Sequence, residues 1–247
     1  KRLQISDLLD REEIILDYQN IETQLCEKVV LITGGAGSIG SQIVKSIIDF
    51  NPKHILIVDN NENGLHDLDL YINDLNKKNK TSIDLITLDI NNKSSLNFLF
   101  KSFNPDIIFH AAAYKHVPMM EKNPLSAISN NILGTFNLLE LTQKYLSQKF
   151  IFISTDKAIN PTNIMGATKR FSELILQALA KKKITALAFE FIKDEDHSYP
   201  AVKALSEIAG TASVLIASEL MVNAQKGKGL LFGNISGVPP VEVVVIG

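Results

Sequence analysis

A glycine-rich stretch directly after the first strongly apolar run has a spacing that suits the binding of a phosphate group. The stretch Thr33-Gly-Gly-Ala-Gly-Ser-Ile-Gly40 places glycines at positions 34, 37 and 40. A tight turn, close approach of the backbone to a pyrophosphate, and close packing of a helix on a strand each favour glycine. The start of the following helix would hold the anion with its backbone N–H groups and its dipole. The sequence therefore predicts a dinucleotide-binding loop, rather than a structural turn, at Gly34, Gly37, Ser38, Ile39 and Gly40.

Acidic residues after the next two apolar runs fit the same chemistry. Asp59 ends the run 54–59, at the distance from the glycines expected of a carboxylate that binds a ribose hydroxyl. A carboxylate there repels a 2′-phosphate and no arginine stands beside it, so we expect NAD as the cofactor rather than NADP. Asp89 and Ile90 follow the third run, where dinucleotide-binding folds usually contact adenine. A helix-capping role for Asp89 is an equal alternative.

Apolar runs and amphipathic stretches alternate along residues 28–180. The pattern predicts strands at 28–33, 54–59, 83–88, 106–110 and 149–154, and helices at 41–50, 64–76, 94–103, 124–146 and 166–180. Such alternation indicates right-handed β-α-β units and a parallel sheet with helices on both faces. The expected fold class is therefore α/β, a Rossmann-type doubly wound sheet, preceded by an amphipathic lead-in at residues 1–27.

The composition narrows the function classes. With 45% hydrophobic residues, 21% charged residues and a net charge of −2, the chain is typical of a soluble globular protein and gives no electrostatic reason to expect nucleic acid. The single cysteine, Cys26, fits a reducing, cytoplasmic location. No apolar run approaches the ~18 residues of a membrane helix, and no metal site is expected. The chain begins at Lys1 rather than Met, so we expect an upstream region to be missing.

Three later stretches carry a family resemblance. They are His110-Ala-Ala-Ala-Tyr-Lys-His-Val-Pro118, Asn130-Asn-Ile-Leu-Gly-Thr135 and Ser154-Thr-Asp-Lys-Ala-Ile-Asn-Pro-Thr-Asn-Ile-Met-Gly-Ala-Thr-Lys169. Together with the glycine loop they resemble the CapD-type polysaccharide-biosynthesis proteins, extended short-chain dehydrogenases that include the UDP-N-acetylglucosamine 4,6-dehydratases. The likeness covers residues 1 to about 178, and Ile5-Ser-Asp-Leu-Leu-Asp-Arg11 is similar to the segment before the catalytic domain in the membrane-anchored branch. It implies NAD-assisted elimination of water from a UDP-sugar in bacterial glycan biosynthesis.

The resemblance also implies the catalytic roles. Lys169 would hold the nicotinamide ribose, and Thr155 would hydrogen-bond the C4 oxygen of the sugar. Asp156 would act as acid at the leaving C6 hydroxyl and Lys157 as base at C5, although a surface ion pair is the alternative for these neighbours. Met165 stands where most short-chain dehydrogenases have a catalytic tyrosine, and a thioether cannot transfer a proton. Similar dehydratases also carry methionine there, whereas an epimerase needs the tyrosine and is therefore disfavoured.

Other residues of these stretches are expected around the substrate. By the same resemblance Ala111, Ala112 and Ala113 line the floor beneath the nicotinamide. Lys115 and His116 lie on a loop over the site as substrate contacts, although His116 could be merely solvated. Asn131 is placed with the substrate-side residues and is expected to brace the active-site strand through a water. A plain surface asparagine is its alternative.

The last part of the chain carries a second resemblance. Pro200-Ala-Val-Lys-Ala-Leu-Ser-Glu-Ile-Ala-Gly210 and the stretch 227–240 resemble alanine dehydrogenase and nicotinamide nucleotide transhydrogenase. This predicts a truncated, partial second α/β segment at 181–247, joined near 179–183 by gene fusion or by faulty sequence assembly. That family's substrate lysine and histidine have no counterpart here, so its activity is the least favoured function. We expect an incomplete dehydratase with a UDP-sugar as its partner. A non-catalytic NAD-binding fragment and a homo-oligomer are open alternatives.

Overall fold

A computed structural model describes residues 17–75, 81–180 and 186–188 of the chain, together with the single positions Ile216 and Glu219. The chain divides into two compact units, Lys1–Phe189 and Glu190–Gly247. Ile216 and Glu219, in the second unit, are helical. Most of the partial second α/β segment predicted at 181–247, and residues 1–16 of the lead-in, lie outside the described residues. The elements below belong to the first unit.

Strands and helices alternate throughout the described part of the first unit. The strands are β1 (Val29–Thr33), β2 (His54–Asp59), β3 (Ser82–Thr87), β4 (Ile107–His110), β5 (Lys149–Phe152) and β6 (Ala186–Ala188). The helices are α1 (Tyr18–Leu25), α2 (Ser38–Ile47), α3 (Glu62–Leu75), α4 (Lys93–Phe103), α5 (Val117–Lys122), α6 (Pro124–Ala127), α7 (Thr135–Lys144) and α8 (Ile164–Ala180).

The strands form one parallel sheet in the order β3-β2-β1-β4-β5-β6. The first strand lies at the centre, where Val30 pairs with Ile55 of β2 on one side and with Ile107 of β4 on the other. Chain connections run outward from this centre in opposite directions, so a crevice opens at the carboxyl ends of β1 and β4. The predicted Rossmann-type doubly wound sheet is confirmed.

The sheet is covered by apolar side chains on both faces. Val30 and Ile32 of β1 belong to the layer formed with α2 and α3, whereas Leu31 belongs to the layer formed with α4, α7 and α8. Successive strand residues point to opposite faces, so a strand buried on both sides must be apolar at every position. This explains why the continuous apolar runs predicted the strands well.

The largest departure from the predicted elements lies between β4 and β5. The expected helix 124–146 is divided into α6, a π-helical stretch Ile128–Gly134, and α7. A Cβ atom on Gly134 would lie 2.5 Å from Cδ1 of Ile90, so a larger residue here would have to displace the Ile90 side chain. Within the wide turn both Asn130 and Asn131 are buried. Because π-helical turns concentrate at functional sites, this stretch directs attention to its neighbours.

Two short helices were not predicted. The helix α1 precedes the sheet, and α5 follows the loop after β4. The predicted helix 41–50 begins three residues earlier, at Ser38, because Gly37 acts as its N-cap in an extended conformation. At the other end a 3₁₀ turn, Ile48–Phe50, terminates at Asn51 with a left-handed backbone. The earlier start matters because it brings the first helical amides directly to the glycine loop.

Candidate active site

An open cleft of about 220 Å³ lies at the carboxyl ends of β1 and β4. The predicted cofactor residues that line it are Gly34, Gly37, Ser38, Ile39, Gly40, Asp59, Asp89, Ile90, Ala111, Ala112 and Ala113. Leu88 and Tyr114 also line it, together with further residues that sequence reasoning missed: Ala36, Val58, Asn60, Asn61 and Asn130. Lys115 also reaches the cleft. Lys169 is not part of this lining.

The glycines of the loop after β1 have separate physical functions. Gly34 adopts a φ of +70°, and a Cβ atom there would lie 2.6 Å from the carbonyl carbon of Ala111. A Cβ atom on Gly40 would collide with the carbonyl oxygen of Gly34. Gly37 caps α2, whose first amides, those of Ser38 to Gly40, have no acceptor inside the helix. The loop is therefore a backbone cradle that fits a pyrophosphate.

Asp59 fastens this cradle to the next strand. Its Oδ2 accepts a hydrogen bond from the N–H of Ala36 at 3.0 Å, and its Oδ1 accepts one from the N–H of Asn61 at 3.0 Å. Asn61 in turn accepts the N–H of Gly64 in the first turn of α3 through its Oδ1. Each carboxylate oxygen retains a further lone pair. Asp59 is therefore both a loop anchor and an acceptor at the cleft wall.

The capping alternative for Asp89 is wrong. Its Oδ1 accepts the N–H of Asn91 at 2.8 Å in a local turn, whereas the N-cap of α4 is Asn92, which accepts the N–H of Ser95. Asp89 is exposed at the cleft and Ile90 is buried beside it. Asp89 thus lines the cleft, and its contact with adenine stays a prediction.

The alternative that Asn131 is a plain surface asparagine is wrong. Only 1% of it is exposed, its Oδ1 accepts the N–H of Tyr114, and its Nδ2 donates to the Tyr114 carbonyl and to Oγ1 of Thr168. These bonds join the π-helical stretch to the loop after β4 and to α8. Asn131 does not line the cleft, so its position is that of a brace rather than a sugar contact. His116 is exposed at the start of α5.

The acid and base expected from the sequence lie together on one exposed turn. Oδ1 of Asp156 accepts hydrogen bonds from Oγ1 of Thr155 (3.0 Å), from the backbone N–H of Lys157 (2.9 Å) and from its Nζ (3.2 Å). Partial burial raises the pKa of Asp156, but the hydrogen bonds from Thr155 and Lys157 and the lysine charge outweigh it. The pKa of Asp156 therefore lies below its ordinary value, and the carboxylate is ionised at neutral pH.

Lys169 and Met165 occupy the helix α8 beside that turn. Nζ of Lys169 donates to the carbonyl of Ile153 at 2.6 Å and lies 4.0 Å from the ring centre of Phe152. Met165 is 3% exposed and packs with Met120 and Ala127. The methionine side chain therefore belongs to a small apolar cluster, as its chemistry requires.

Sequence reasoning missed a buried hydrogen-bond chain through His110. Thr135 donates its only hydroxyl hydrogen to the Asn131 carbonyl at 2.6 Å, so its oxygen must accept from Nε2 of His110 at 2.8 Å. Nδ1 then accepts from the Thr33 hydroxyl at 2.7 Å. Burial, followed by the charge of Lys169, lowers the pKa of His110 well below its ordinary value. The imidazole is therefore neutral, with its proton on Nε2.

Comparisons with known proteins agree with this architecture. Residues 30–193 match the family described as polysaccharide biosynthesis protein. The chain belongs to this family. The capsular polysaccharide biosynthesis protein CapD of Staphylococcus aureus is 41% identical over 181 residues, which cover 72% of this chain and 30% of that protein. The predicted CapD-type membership is confirmed.

A second relative and two solved structures add detail. The UDP-N-acetylglucosamine 4,6-dehydratase (inverting) of Campylobacter jejuni is 34% identical over 152 residues, 61% of this chain and 43% of that protein. Pen from Bacillus thuringiensis superposes with a TM-score of 0.61 at 32% identity, over 67% of this chain and 52% of that one. The UDP-glucose 4-epimerase of Thermus thermophilus in complex with NAD superposes with a TM-score of 0.57 at 25% identity. The match covers 65% of this chain and 53% of that one. This chain thus spans about half or less of each.

The contact between α8 and the turn Thr155–Lys157 generates a first prediction. Replacing glycine by alanine inside a helix ordinarily stabilises a protein by ~1 kcal/mol. At Gly166, however, the new Cβ would collide with the Lys157 carbonyl. We expect Gly166→Ala to lower the free energy of unfolding, measured by urea denaturation, by ~1–3 kcal/mol. The reverse exchange at the exposed neighbour, Ala167→Gly, reports helix propensity alone, and a stabilised G166A protein would contradict the contact.

The neutral His110 generates a second prediction, on pH. Below pH ~6.5 the unfolded chain binds a proton at this position that the native chain does not bind. The free energy of unfolding should therefore fall as the pH decreases below ~6.5, with a contribution of up to ~1.4 kcal/mol per pH unit. His110→Gln should remove this part of the slope, whereas His66→Gln, at an exposed position, should keep it. Equal slopes for wild type and H110Q would show that the buried histidine is not neutral.

Proposed function

We propose that this chain carries the cofactor-binding and proton-transfer parts of a nucleotide-sugar 4,6-dehydratase of the UDP-N-acetylglucosamine type. The observation that carries the proposal is the exposed Asp156–Lys157 pair on a turn held against α8, the helix that contains Lys169. The burial of Met165 in an apolar cluster supports dehydration over epimerisation, because the position where an epimerase needs a tyrosine then holds no proton-transfer group. The similarity to a 4,6-dehydratase agrees with this choice.

The cleft residues fit a nicotinamide dinucleotide. The amides of Ser38 to Gly40 would hold the pyrophosphate, and Asp59 would accept a ribose hydroxyl, which favours NAD over NADP. The small side chains of Ala111 to Ala113 leave room for the nicotinamide along the cleft floor. The bound cofactor would supply oxidation of the sugar at C4 and the matching reduction at C6, so it is regenerated within one turnover.

The protein itself would move the protons. Once C4 is oxidised, the C5 proton is acidic and passes to the neutral amine of Lys157. The C6–O bond breaks, and the leaving hydroxyl takes a proton from Asp156 and departs as water. Lys157 would return its proton to C5 as C6 is reduced, and the proton that the C4 hydroxyl loses on oxidation would replace the one given up by Asp156. The Thr155 hydroxyl, which donates to Asp156 in this structure, would turn to the C4 oxygen of the bound sugar.

The resting ion pair has the opposite protonation from the one this elimination needs. The lowered pKa of Asp156 shows that its carboxylate holds no proton at neutral pH. A proton must therefore pass from the Lys157 ammonium to Asp156, across the 3.2 Å hydrogen bond that joins them. A sugar that enters over this turn and excludes water would favour that transfer, because a low-dielectric surrounding disfavours both charges.

The extent of the activity is part of the proposal. The chain spans 30% of CapD and 43% of the Campylobacter dehydratase, so more than half of each of those proteins lies outside the alignment. We therefore expect slow turnover. The alanine dehydrogenase resemblance of residues 182–247 has no support in these matches. The predicted seam near 179–183 stays a prediction, while the first compact unit ends at Phe189.

Partner and location remain proposals of the same kind. A UDP-sugar is the expected substrate. Large apolar side chains are exposed on the adjacent helices α7 and α8, among them Phe136, Phe171 and Leu174, which supports a homo-oligomer. Among the described helices none is long and apolar enough to cross a membrane. A cytoplasmic location stays a prediction from the single cysteine.

Product analysis tests the proposed function. The protein is incubated with NAD and UDP-N-acetylglucosamine, and a 4-keto-6-deoxy product is sought by NMR spectroscopy. Asp156→Asn and Lys157→Met should each lower product formation by ~10²–10⁴-fold, because each removes a proton-transfer group. Both variants should retain the NAD affinity of the wild type. Lys93→Met, which removes a surface ion pair with Glu140, is the control and should behave as wild type.

The outcomes separate the alternatives. A UDP-sugar epimerised at C4, with no 4-keto product, would assign an epimerase instead. NAD binding without any product from UDP-N-acetylglucosamine would favour the non-catalytic fragment. Turnover that survives both substitutions would remove Asp156 and Lys157 from the mechanism.

A further inference from the structure

Glu173 on α8 is a buried carboxylate that the proposed reaction does not use. Only 3% of it is exposed. Its Oε1 accepts a hydrogen bond of 2.5 Å from the hydroxyl of Ser154, and its Oε2 pairs with Nη1 of Arg170 at 3.0 Å. A carboxylate is retained at such a depth only where its partners compensate the lost hydration. The Ser154 hydroxyl is the partner that connects it to the site.

Ser154 stands directly before the turn that carries the proposed acid and base. The strand β5 ends at Phe152, and Ile153 and Ser154 lead from it to Thr155. The carbonyl of Ile153 accepts from Nζ of Lys169, one helical turn before Glu173. Residues four apart share a helix face. Lys169 and Glu173 on one face of α8 therefore bind the two consecutive residues Ile153 and Ser154.

A further contact fixes the far side of the turn. Gly166 of α8 packs so closely on the Lys157 carbonyl that no side chain fits between them. Among the described residues the turn has two internal backbone hydrogen bonds, from the N–H of Ala158 to the Thr155 carbonyl and from the N–H of Ile159 to the Asp156 carbonyl. The contacts of α8 with Ser154 before the turn and with Lys157 at its end therefore set much of its direction.

We propose that Glu173 is a positioning residue whose hydrogen bond with Ser154 aims the turn Thr155–Lys157 at the sugar. Arg170 holds the second carboxylate oxygen, so that the first faces Ser154. Hydrogen bonds to an ionised acceptor are short and strong, which suits a residue that fixes a direction. This inference rests on the proposed dehydratase function for its effect on turnover, and on the structure alone for its effect on the turn.

Two substitutions of similar size separate the hydrogen bond from the charge. Glu173→Gln and Glu173→Met both remove the ion pair with Arg170, but only glutamine can accept from Ser154. With UDP-N-acetylglucosamine we expect E173M to lower kcat by ~10–100-fold. E173Q should stay within about threefold of wild type, and neither should change the KM or the NAD affinity appreciably. Ser154→Ala should reproduce E173M, and the double variant should be no slower, because both remove one interaction.

Hydrogen–deuterium exchange gives a readout that needs no turnover. E173M and S154A should accelerate exchange in the peptide that contains residues 154–158, whereas E173Q and the surface control Glu140→Met should not. Exchange in the central strand β2 should remain unchanged. Equal behaviour of E173Q and E173M, unchanged exchange in the turn, or acceleration that extends to β2 would each overturn the proposal. If the wild type forms no product, the proposed function fails and the exchange results alone decide this inference.

Discussion

The cleft depends on a contact between two backbones at the centre of the sheet. The turn after β1 passes so close to the end of β4 that Gly34 has no room for a side chain, and its positive φ sends the chain back towards α2. Gly40 also has no room for a side chain, which lets the start of α2 lie close against the same turn. The first amides of α2 consequently face the crevice where the strand order reverses. The cofactor contacts proposed elsewhere in the cleft depend on this arrangement.

A buried polar network joins this cofactor side to the proposed catalytic side. Thr33 at the end of β1 connects through His110 and Thr135 to the Asn131 carbonyl, which also accepts the hydroxyl of Ser172 on α8. The Asn131 side chain extends the network to Thr168 and to the loop after β4. Such fully satisfied networks specify one arrangement of the elements that they connect. The π-helical stretch is the element that brings Asn131 inward.

The sequence predicted most of the cleft and less of its support. Apolar runs gave the strands because a doubly covered parallel sheet needs an apolar residue at nearly every position, and the glycine spacing gave the loop because only glycine meets its steric demands. The role of Asp89 stayed open because Asn91 and Asn92 offer the same local hydrogen bonds. Contacts between distant residues, such as Ser154 with Glu173, leave no local pattern. The packing of Gly134, in the π-helical stretch, on Ile90 is another such contact, and no periodic pattern in the sequence predicts it.

Calorimetric titration with NAD measures the central claim most directly. The account predicts saturable heat from the wild-type chain, and a loss of affinity of about tenfold or more in Gly40→Ala, because the added Cβ would force the cradle apart. The folded state of the variant is verified first by circular dichroism. An absence of heat from folded wild-type protein, or an affinity that Gly40→Ala leaves unchanged, would contradict the pyrophosphate cradle and the function built on it.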